Sequence, residues 1–364
     1  MKNLTFLLAF ALANSGHAVE MVEIDPPPLE GVGPQLFGTQ PGKKYLPEKA
    51  VDSPRPPHLT ISRHAGDNEP LPYYAIGPDT YFLFANIAEV DGNNRGFNGN
   101  AGFVVTDDGV VAIDALGTPT LGRRMIATIR KVTRQPVRYL ILTHTHPDHY
   151  YGAQAFVEAF PDIKVISHKG SVDYAYSSTI QRSVAYRKVF LPTDMKGFKA
   201  VVPNVLIDAP RFGKTTFKLG AKTFDLYNVD YQHSHGDLVL HQAEDNIVWI
   251  SDLAFNGRIT FMGDGHYKSA LEGQKWLLQT FPDARLMVPG HGAPQTPPFP
   301  MVARTMHYIQ ALEAKIKSAR ERNLGLQDAV NQSELPEFKN DPLYGLNHRP
   351  NSNFIFREME EEDF

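Results

Sequence analysis

His144-Thr145-His146-Pro147-Asp148-His149 follows directly on Val137-Arg138-Tyr139-Leu140-Ile141-Leu142-Thr143. The upstream run is apolar and β-branched and reads as a buried strand. Alternate side chains of an extended segment share a face, so His144 and His146 can reach one metal together. Pro147 disfavours helix at the residue before it, which keeps His146 extended. Proline also suits the first position of a helix, so Asp148 and His149 are expected to open the next one and to face a second metal. Imidazole and carboxylate donors at this density suit zinc, and iron or manganese is compatible with the same donors.

Three further candidates stand at the ends of apolar runs. His233 follows Asn228-Val229-Asp230-Tyr231-Gln232 and opens His-Ser-His-Gly-Asp; Asp252 ends Ile247-Val248-Trp249-Ile250-Ser251; His291 ends Leu286-Met287-Val288-Pro289-Gly290. Strand-end loops are where rigid scaffolds place chemistry. Taken singly, each has an ordinary structural reading: a loop histidine, a helix N-cap and a turn residue.

As an ordered set, His-x-His-x-Asp-His at 144–149, His-Ser-His-Gly-Asp at 233–237, Asp252 after a buried strand and Pro-Gly-His-Gly at 289–292 resemble the metallo-β-lactamase superfamily. The resemblance runs from about Tyr73 to the C-terminus and includes Asn100-Ala101-Gly102-Phe103-Val104-Val105 and Asp114, which look like the family's opening strands. It implies an α/β fold, a four-layer αββα sandwich with a dinuclear metal site at one edge. Carried over by position, it implies that His144, His146 and His233 hold one zinc. Asp148, His149 and His291 would hold a second, with Asp252 bridging the two. More narrowly, Ser251-Asp252-Leu253-Ala254-Phe255-Asn256-Gly257-Arg258, Gly263-Asp264-Gly265, Leu335-Pro336-Glu337-Phe338 and Asn353-Phe354-Ile355-Phe356-Arg357 resemble exported zinc metallohydrolases linked to sulfur-oxidation and quinoprotein systems.

The chain departs from dedicated β-lactamases. Two of their subclasses need cysteine where Asp252 stands, and the third generally lacks a bridging aspartate there. This chain has no cysteine at all, so disulfides, a thiol nucleophile and thiolate ligands are excluded. His235 shares an extended face with His233 but is expected at the surface or behind the ligands. Ser234 has no activating base in the sequence.

The expected function is an exported dinuclear zinc hydrolase, in which a hydroxide generated on the metals attacks an ester, thioester, lactone or amide carbonyl. Asp148 and Asp252 are the expected catalytic residues, orienting the nucleophile and moving its proton. Two zincs set against two aspartates and one hydroxide leave about +1, which favours an anionic substrate or a developing oxyanion. The alternatives are a β-lactamase, an iron-dependent sulfur-compound oxygenase and a non-catalytic periplasmic metal-binding accessory protein. Tyr150, Tyr151, Arg258, His266, Tyr267 and Lys268 are candidates for substrate specificity by position. His58, His64, His168, His241, His307 and His348 lack partners at motif spacing and read as structural.

The remainder of the chain bounds these readings. Its 364 residues are 42% hydrophobic with formal net charge −4, ample for a large core and without an electrostatic reason to bind nucleic acid. Residues 1–18 read as a signal peptide: Lys2, the apolar run Leu4–Ala13, then Gly16 and Ala18 before cleavage. Export to a periplasm follows, with no membrane insertion afterwards. A buried N-terminal helix is the alternative. Residues 19–72 are dense in proline and read as an extended arm or linker, free or wrapped on the main domain through Leu36, Phe37 and Tyr45. Residues 73–364 form the metallohydrolase domain with a helical tail. The expected partners are a small-molecule substrate and a periplasmic protein.

Overall fold

A computed structural model of the chain describes residues 18–29 and 66–363. Its first half comprises β1 (Met21–Glu23), β2 (Tyr74–Gly77), β3 (Thr80–Leu83), β4 (Ala101–Thr106), β5 (Gly109–Ile113), α1 (Pro119–Val132), β6 (Val137–Ile141), α2 (Pro147–Tyr150), α3 (Ala153–Ala159), β7 (Lys164–His168), α4 (Ser178–Phe190), β8 (Lys199–Val201) and β9 (Val205–Ile207). The second half comprises β10 (Lys214–Leu219), β11 (Lys222–Asp230), β12 (Asp237–Gln242), β13 (Ile247–Ser251), α5 (Tyr267–Thr280), β14 (Leu286–Pro289), α6 (Pro300–Glu321), α7 (Leu326–Asn331) and α8 (Tyr344–Glu361).

Two sheets carry the site. One runs in the order β2-β3-β4-β5-β6-β7-β9, the other β10-β11-β12-β13-β14. Strand alternation dictates how they stack. In β5, Val111 and Ile113 face the second sheet while Val110 and Ala112 face the helices outside. In β13, Ile247 and Trp249 face the first sheet, and Val248 and Ile250 face outward. Each strand is therefore apolar on both faces, and the layers are helix, sheet, sheet, helix. This is the four-layer αββα sandwich expected from the sequence. Each fully buried branched side chain contributes about 1.5–3 kcal/mol. Gly102 lets the sheets close up: a Cβ there would lie 2.1 Å from the Trp249 ring. The indole N–H in turn donates to Gln242 Oε1 at 2.8 Å.

Helix α1 starts at a capped N-terminus, with Thr118 accepting from the Leu121 N–H at 3.1 Å and Pro119 at the first position. Residues 171–190 do not form one continuous helix. Short 3₁₀ turns end at Ser177, whose extended backbone and side-chain acceptor for the Ile180 N–H start α4 afresh. The segment read as a proline-rich arm is described at residues 19–29 and 66–72. β1 pairs antiparallel with β8, and Val19, Ile24 and Leu71 are buried in the core against the first sheet. Most of the expected signal segment (1–17) lies outside the described residues. So do 30–65, with Leu36, Phe37, Tyr45, His58 and His64. The tail, which shows no clear period in sequence, folds into α7, a 3₁₀ turn and α8, packed on α5 and α6 around Tyr308, Leu312, Phe338 and Phe356. Among the described residues no helix is long and apolar enough to cross a membrane.

Candidate metal centre

All seven expected ligands converge at the ends of β6, β11, β13 and β14. Ser251 ends β13 with φ +45°, a left-handed turn that a non-glycine residue adopts at a cost of about 1–3 kcal/mol. Asp252 follows it. His233 is fixed by the residue that closes its motif. Asp237 Oδ2 accepts the N–H groups of Gln232, His233 and Ser234 at 2.8–3.0 Å, and Oδ1 accepts the Ser234 hydroxyl at 2.7 Å. Ser234 is thus structural, and His235 is exposed, stacked edge-on near Tyr231.

The donors fall into two groups, His144, His146, His233 and Asp252 in one and Asp148, His149 and His291 in the other. Within each group the ligand atoms lie within 4.8 Å of one another. Asp252 reaches both. Its Oδ2 lies 3.1 Å from His233 Nε2 and 3.9 Å from His144 Nε2, and its Oδ1 lies 3.5 Å from His149 Nε2. His291 Nε2 is 3.2 Å from Asp252 Oδ2 and 3.4 Å from Asp148 Oδ2.

Do these residues fit metal ions? His144 Nε2, His149 Nε2, His233 Nε2 and Asp252 Oδ1 are fully buried and have no hydrogen-bond partner. A buried polar atom without a partner costs about 1–3 kcal/mol. These four atoms come from both donor groups and fit bound cations, and the all-nitrogen-and-oxygen donor set suits zinc.

The opposite ring nitrogens are tied down, which fixes tautomer and orientation. Asp114 Oδ2 takes His149 Nδ1 at 2.9 Å, while its Oδ1 accepts the Thr143 N–H at 2.8 Å. The Thr143 hydroxyl lies 3.1 Å from His144 Nδ1 and 2.7 Å from the Ser251 hydroxyl. Asp264 Oδ2 lies 3.0 Å from His146 Nε2, leaving Nδ1 for a metal. Asn98 donates to Asp148 Oδ2 at 3.3 Å. Of this supporting shell, sequence reading singled out none as such. Asp114 carries the same signal as Asp252, an acid ending a buried strand, and Asp264 stands alone between two glycines.

The electrostatics follow from burial and crowding. Burial opposes the charged form of Asp148, but His149, His291 and Arg187 outweigh it and hold the carboxyl at about 2. Burial likewise disfavours charged His149, yet Asp252, Asp148 and Asp114 raise it to about 10. Burial and the neighbouring His149 and His146 push His144 well below its usual value. Burial raises Asp114, against the pull of His149.

A cavity of about 340 Å³ opens on this centre, lined by Asp148, Asp252, His291, Arg187, Arg258 and Phe261, among others. Of the six specificity candidates only Arg258 lines it. Tyr150 and Tyr151 are core residues, the first donating to the Val201 carbonyl and the second 3.2 Å from the Tyr174 hydroxyl. His266, Tyr267 and Lys268 tie α5 to Glu358 of α8 and to Glu362 just past its end. His168, His241, His307 and His348 have local partners, in keeping with structural roles.

Comparison with known proteins places this geometry. The family model of the metallo-β-lactamase superfamily matches residues 94–291, more than half of the chain. A curated linear primary-alkylsulfatase of a Pseudomonas species is 34% identical over 50 residues, 14% of this chain and 10% of that protein. The chain therefore matches only about a tenth of that relative's length. Among solved structures, a metallo-β-lactamase from Pontibacter korlensis superposes with a TM-score of 0.52 at 19% identity, covering 66% of this chain and 99% of that one. A stereoselective inverting sec-alkylsulfatase from Pseudomonas sp. gives 0.61 at 17% identity, covering 78% of this chain and 49% of that one. At these identities the structures speak for the fold alone.

Proposed function

Because the chain belongs to the metallo-β-lactamase superfamily, we propose that it is a dinuclear metal-dependent hydrolase acting on an ester, thioester, lactone or amide. The observation that carries this reading is Asp252. Its two carboxylate oxygens address both donor groups, and three unpartnered histidine Nε2 atoms surround them. His144, His146 and His233 would hold one ion and Asp148, His149 and His291 the other, with Asp252 shared. A metal pair held there supplies Lewis acidity and lowers the pKa of water to roughly 7.

The chain's own residues do the rest. Asp148 faces the cavity, is kept ionised, and is steadied by Asn98. It is placed to orient the attacking water and to carry its proton to the leaving group. Asp114, Thr143 and Asp264 hold three imidazoles in one tautomer, so little reorganisation is needed when charge develops. The site needs no serine nucleophile, since Ser234 is consumed by Asp237.

The narrower reading places the chain among the exported metallohydrolases linked to sulfur oxidation and quinoproteins, with a signal at 1–18, a proline-rich segment at 19–72 and a catalytic domain at 73–364. It rests on the motifs quoted from the sequence, as do periplasmic location, zinc as the metal and a periplasmic protein partner. A second substrate class, sulfate esters, is favoured by the alkylsulfatase match.

The test is metal content per chain, followed by a screen. About two zincs per chain with turnover of one carbonyl or sulfate ester class supports the proposal. Iron with oxygen uptake on a persulfide moves the chain to the oxygenase reading. Rapid opening of a nitrocefin-like lactam moves it to the β-lactamases. A folded chain that takes up no metal refutes the ligand assignment.

A further inference from the structure

We infer that Arg187 and Arg258 form an oxyanion-binding subsite beside the metal centre, so that the substrate carries a carboxylate, sulfonate or phosphate group separate from the bond that is cut. The inference rests on the hydrolase reading for the role of the adjoining metal pair.

Both arginines line the cavity that contains Asp148, Asp252 and His291. Arg258 lies on a shelf: its guanidinium sits 5.3 Å over the Phe255 ring, which is itself stacked on His291 at 5.6 Å. Its Nε donates to the Ile259 carbonyl at 3.2 Å, and Nη1 lies 3.2 Å from His291 Nδ1. Arg187 comes from α4. It is 4% exposed, donates to the Gly117 carbonyl at 3.1 Å and lies over the Tyr151 ring at 5.6 Å. Among the described residues neither arginine forms an ion pair, whereas Arg95, Arg211, Arg304 and Arg320 each do. The carboxylates that act on them, Asp148 on Arg187 and Asp252, Asp148 and Glu89 on Arg258, do so from beyond ion-pair distance, so a bound oxyanion would pair either guanidinium directly.

The charge sum points the same way. Four carboxylates line the cavity, Glu89, Asp148, Asp252 and Asp264. Two divalent ions would offset them, and the two guanidiniums then leave about +2, or about +1 with a hydroxide counted. Arginine's planar fork matches an oxyanion in two-point fashion, which a point charge does not.

Arg258 is also fixed in advance. Asn351 of α8 donates to the Thr260 carbonyl at 2.8 Å and accepts the Met262 N–H at 3.0 Å. Asn347 donates to the Ile259 and Thr260 carbonyls at 3.4 Å. The loop carrying Arg258 is thereby clamped from the tail. Leu346 and Pro350 of the same helix form part of the cavity wall. Ordering a guanidinium before the ligand arrives removes part of the entropic cost of binding.

The test uses the full, metal-loaded chain and calorimetric titration. Succinate offers one carboxylate to the metals and a second to the arginines; butyrate offers only the first. The wild type is expected to prefer succinate by about tenfold to a hundredfold, the range of a charge-assisted hydrogen-bonded pair. Arg258→Gln should abolish that preference, and Arg258→Lys should keep part of it. 3-Sulfopropionate and 3-phosphonopropionate, titrated in parallel, tell a tetrahedral from a planar group by which one loses most in Arg258→Gln. Equal affinity for succinate and butyrate in the wild type overturns the inference. So does a preference that survives Arg258→Gln unchanged, or one that Arg258→Lys and Arg258→Gln lose alike. Metal content measured on the same samples separates the two readings. Absent metal refutes the hydrolase, whereas bound metal with no dianion preference refutes only the subsite.

Discussion

Asp114→Asn is the sharpest probe of the centre, because it changes almost no volume and replaces none of the candidate ligands. The Asp114 carboxylate accepts on both sides. Oδ1 takes the Thr143 N–H at 2.8 Å and Oδ2 takes His149 Nδ1 at 2.9 Å. An asparagine keeps only one acceptor oxygen. Placing that oxygen at the Thr143 amide, which cannot change its role, leaves an NH₂ group facing His149 Nδ1. The imidazole avoids a donor–donor clash by losing its proton at Nδ1 and taking one at Nε2. Nε2 is the buried, unpartnered atom that points into the centre. A proton there competes directly with a metal.

Loss of such an outer partner lowers metal affinity about 10–100-fold, or roughly 1.4–2.8 kcal/mol. The weakening should be confined to the ion held by Asp148, His149 and His291. Chelator competition followed by elemental analysis is therefore expected to show one ion leaving early and the other at the wild-type chelator concentration. Two ions that both leave at wild-type concentrations would refute the role given to Asp114. Two that leave early together would refute the division of ligands into two groups.

Three further outcomes are expected. Gly290→Ala places a Cβ 1.9 Å from Asp252 Oδ1 and 3.0 Å from His149 Cε1; displacing Asp252 by about 1 Å should cost about a hundredfold in turnover, read by steady-state kinetics. Asp237→Asn weakens the four hydrogen bonds that shape the His233 turn and should cost roughly 2–3 kcal/mol in urea denaturation, with loss of metal. Asp225 is a control away from the centre: burial disfavours its charge, but His241, Lys214 and Thr216 hold the carboxyl well below its usual value. A depressed carboxyl stabilises the fold above its unfolded value near 4 and loses that contribution as pH falls through the folded value. Asp225→Asn should thus be less stable than wild type by about 1–2 kcal/mol at pH 7, with the gap narrowing below about pH 4; a gap independent of pH would exclude the charge as its cause.

The sandwich was expected from the family resemblance of the ordered motifs, whereas the strands and the candidate ligands at their ends were legible for one physical reason. Strands buried on both faces must be apolar throughout, so a charged or imidazole side chain at the end of such a run is conspicuous. Asp252 after Ile247–Ser251 and His291 after Leu286–Pro289 both stand out in this way. The supporting shell was less legible because its members bond across long sequence distances. Asp264 meets His146 across 118 positions, and Asn100 meets the Gly292 carbonyl across 192. No local pattern encodes such a meeting. β1 was hidden by the prolines that follow it, although Val19 and Ile24 do bury.

A helical tail was expected, but the period of helix α8 was hard to read for the opposite reason. Its buried positions, 344, 347, 348, 351, 352, 355 and 356, repeat at three and four as a helix demands. Four of the seven are polar: Asn347, His348, Asn351 and Ser352. A search for apolar period passes over them, and Pro350 in the middle argues against a helix. Their polarity has a purpose that apolar residues would not serve. His348 lies 3.1 Å from the Tyr308 hydroxyl and Ser352 is 2.8 Å from the Ser333 hydroxyl, which lock α8 to α6 and to the segment after α7, while Asn347 and Asn351 grip the backbone at 259–262. Apolar packing is non-directional and tolerates small slides, whereas hydrogen bonds to backbone set one register. The loop so held carries Arg258 and leads to Asp264. The part of the chain beyond the family-matched span thus forms part of the wall of the pocket and holds the loop that carries Arg258. Specificity is then to be sought in the tail as much as in the ligands.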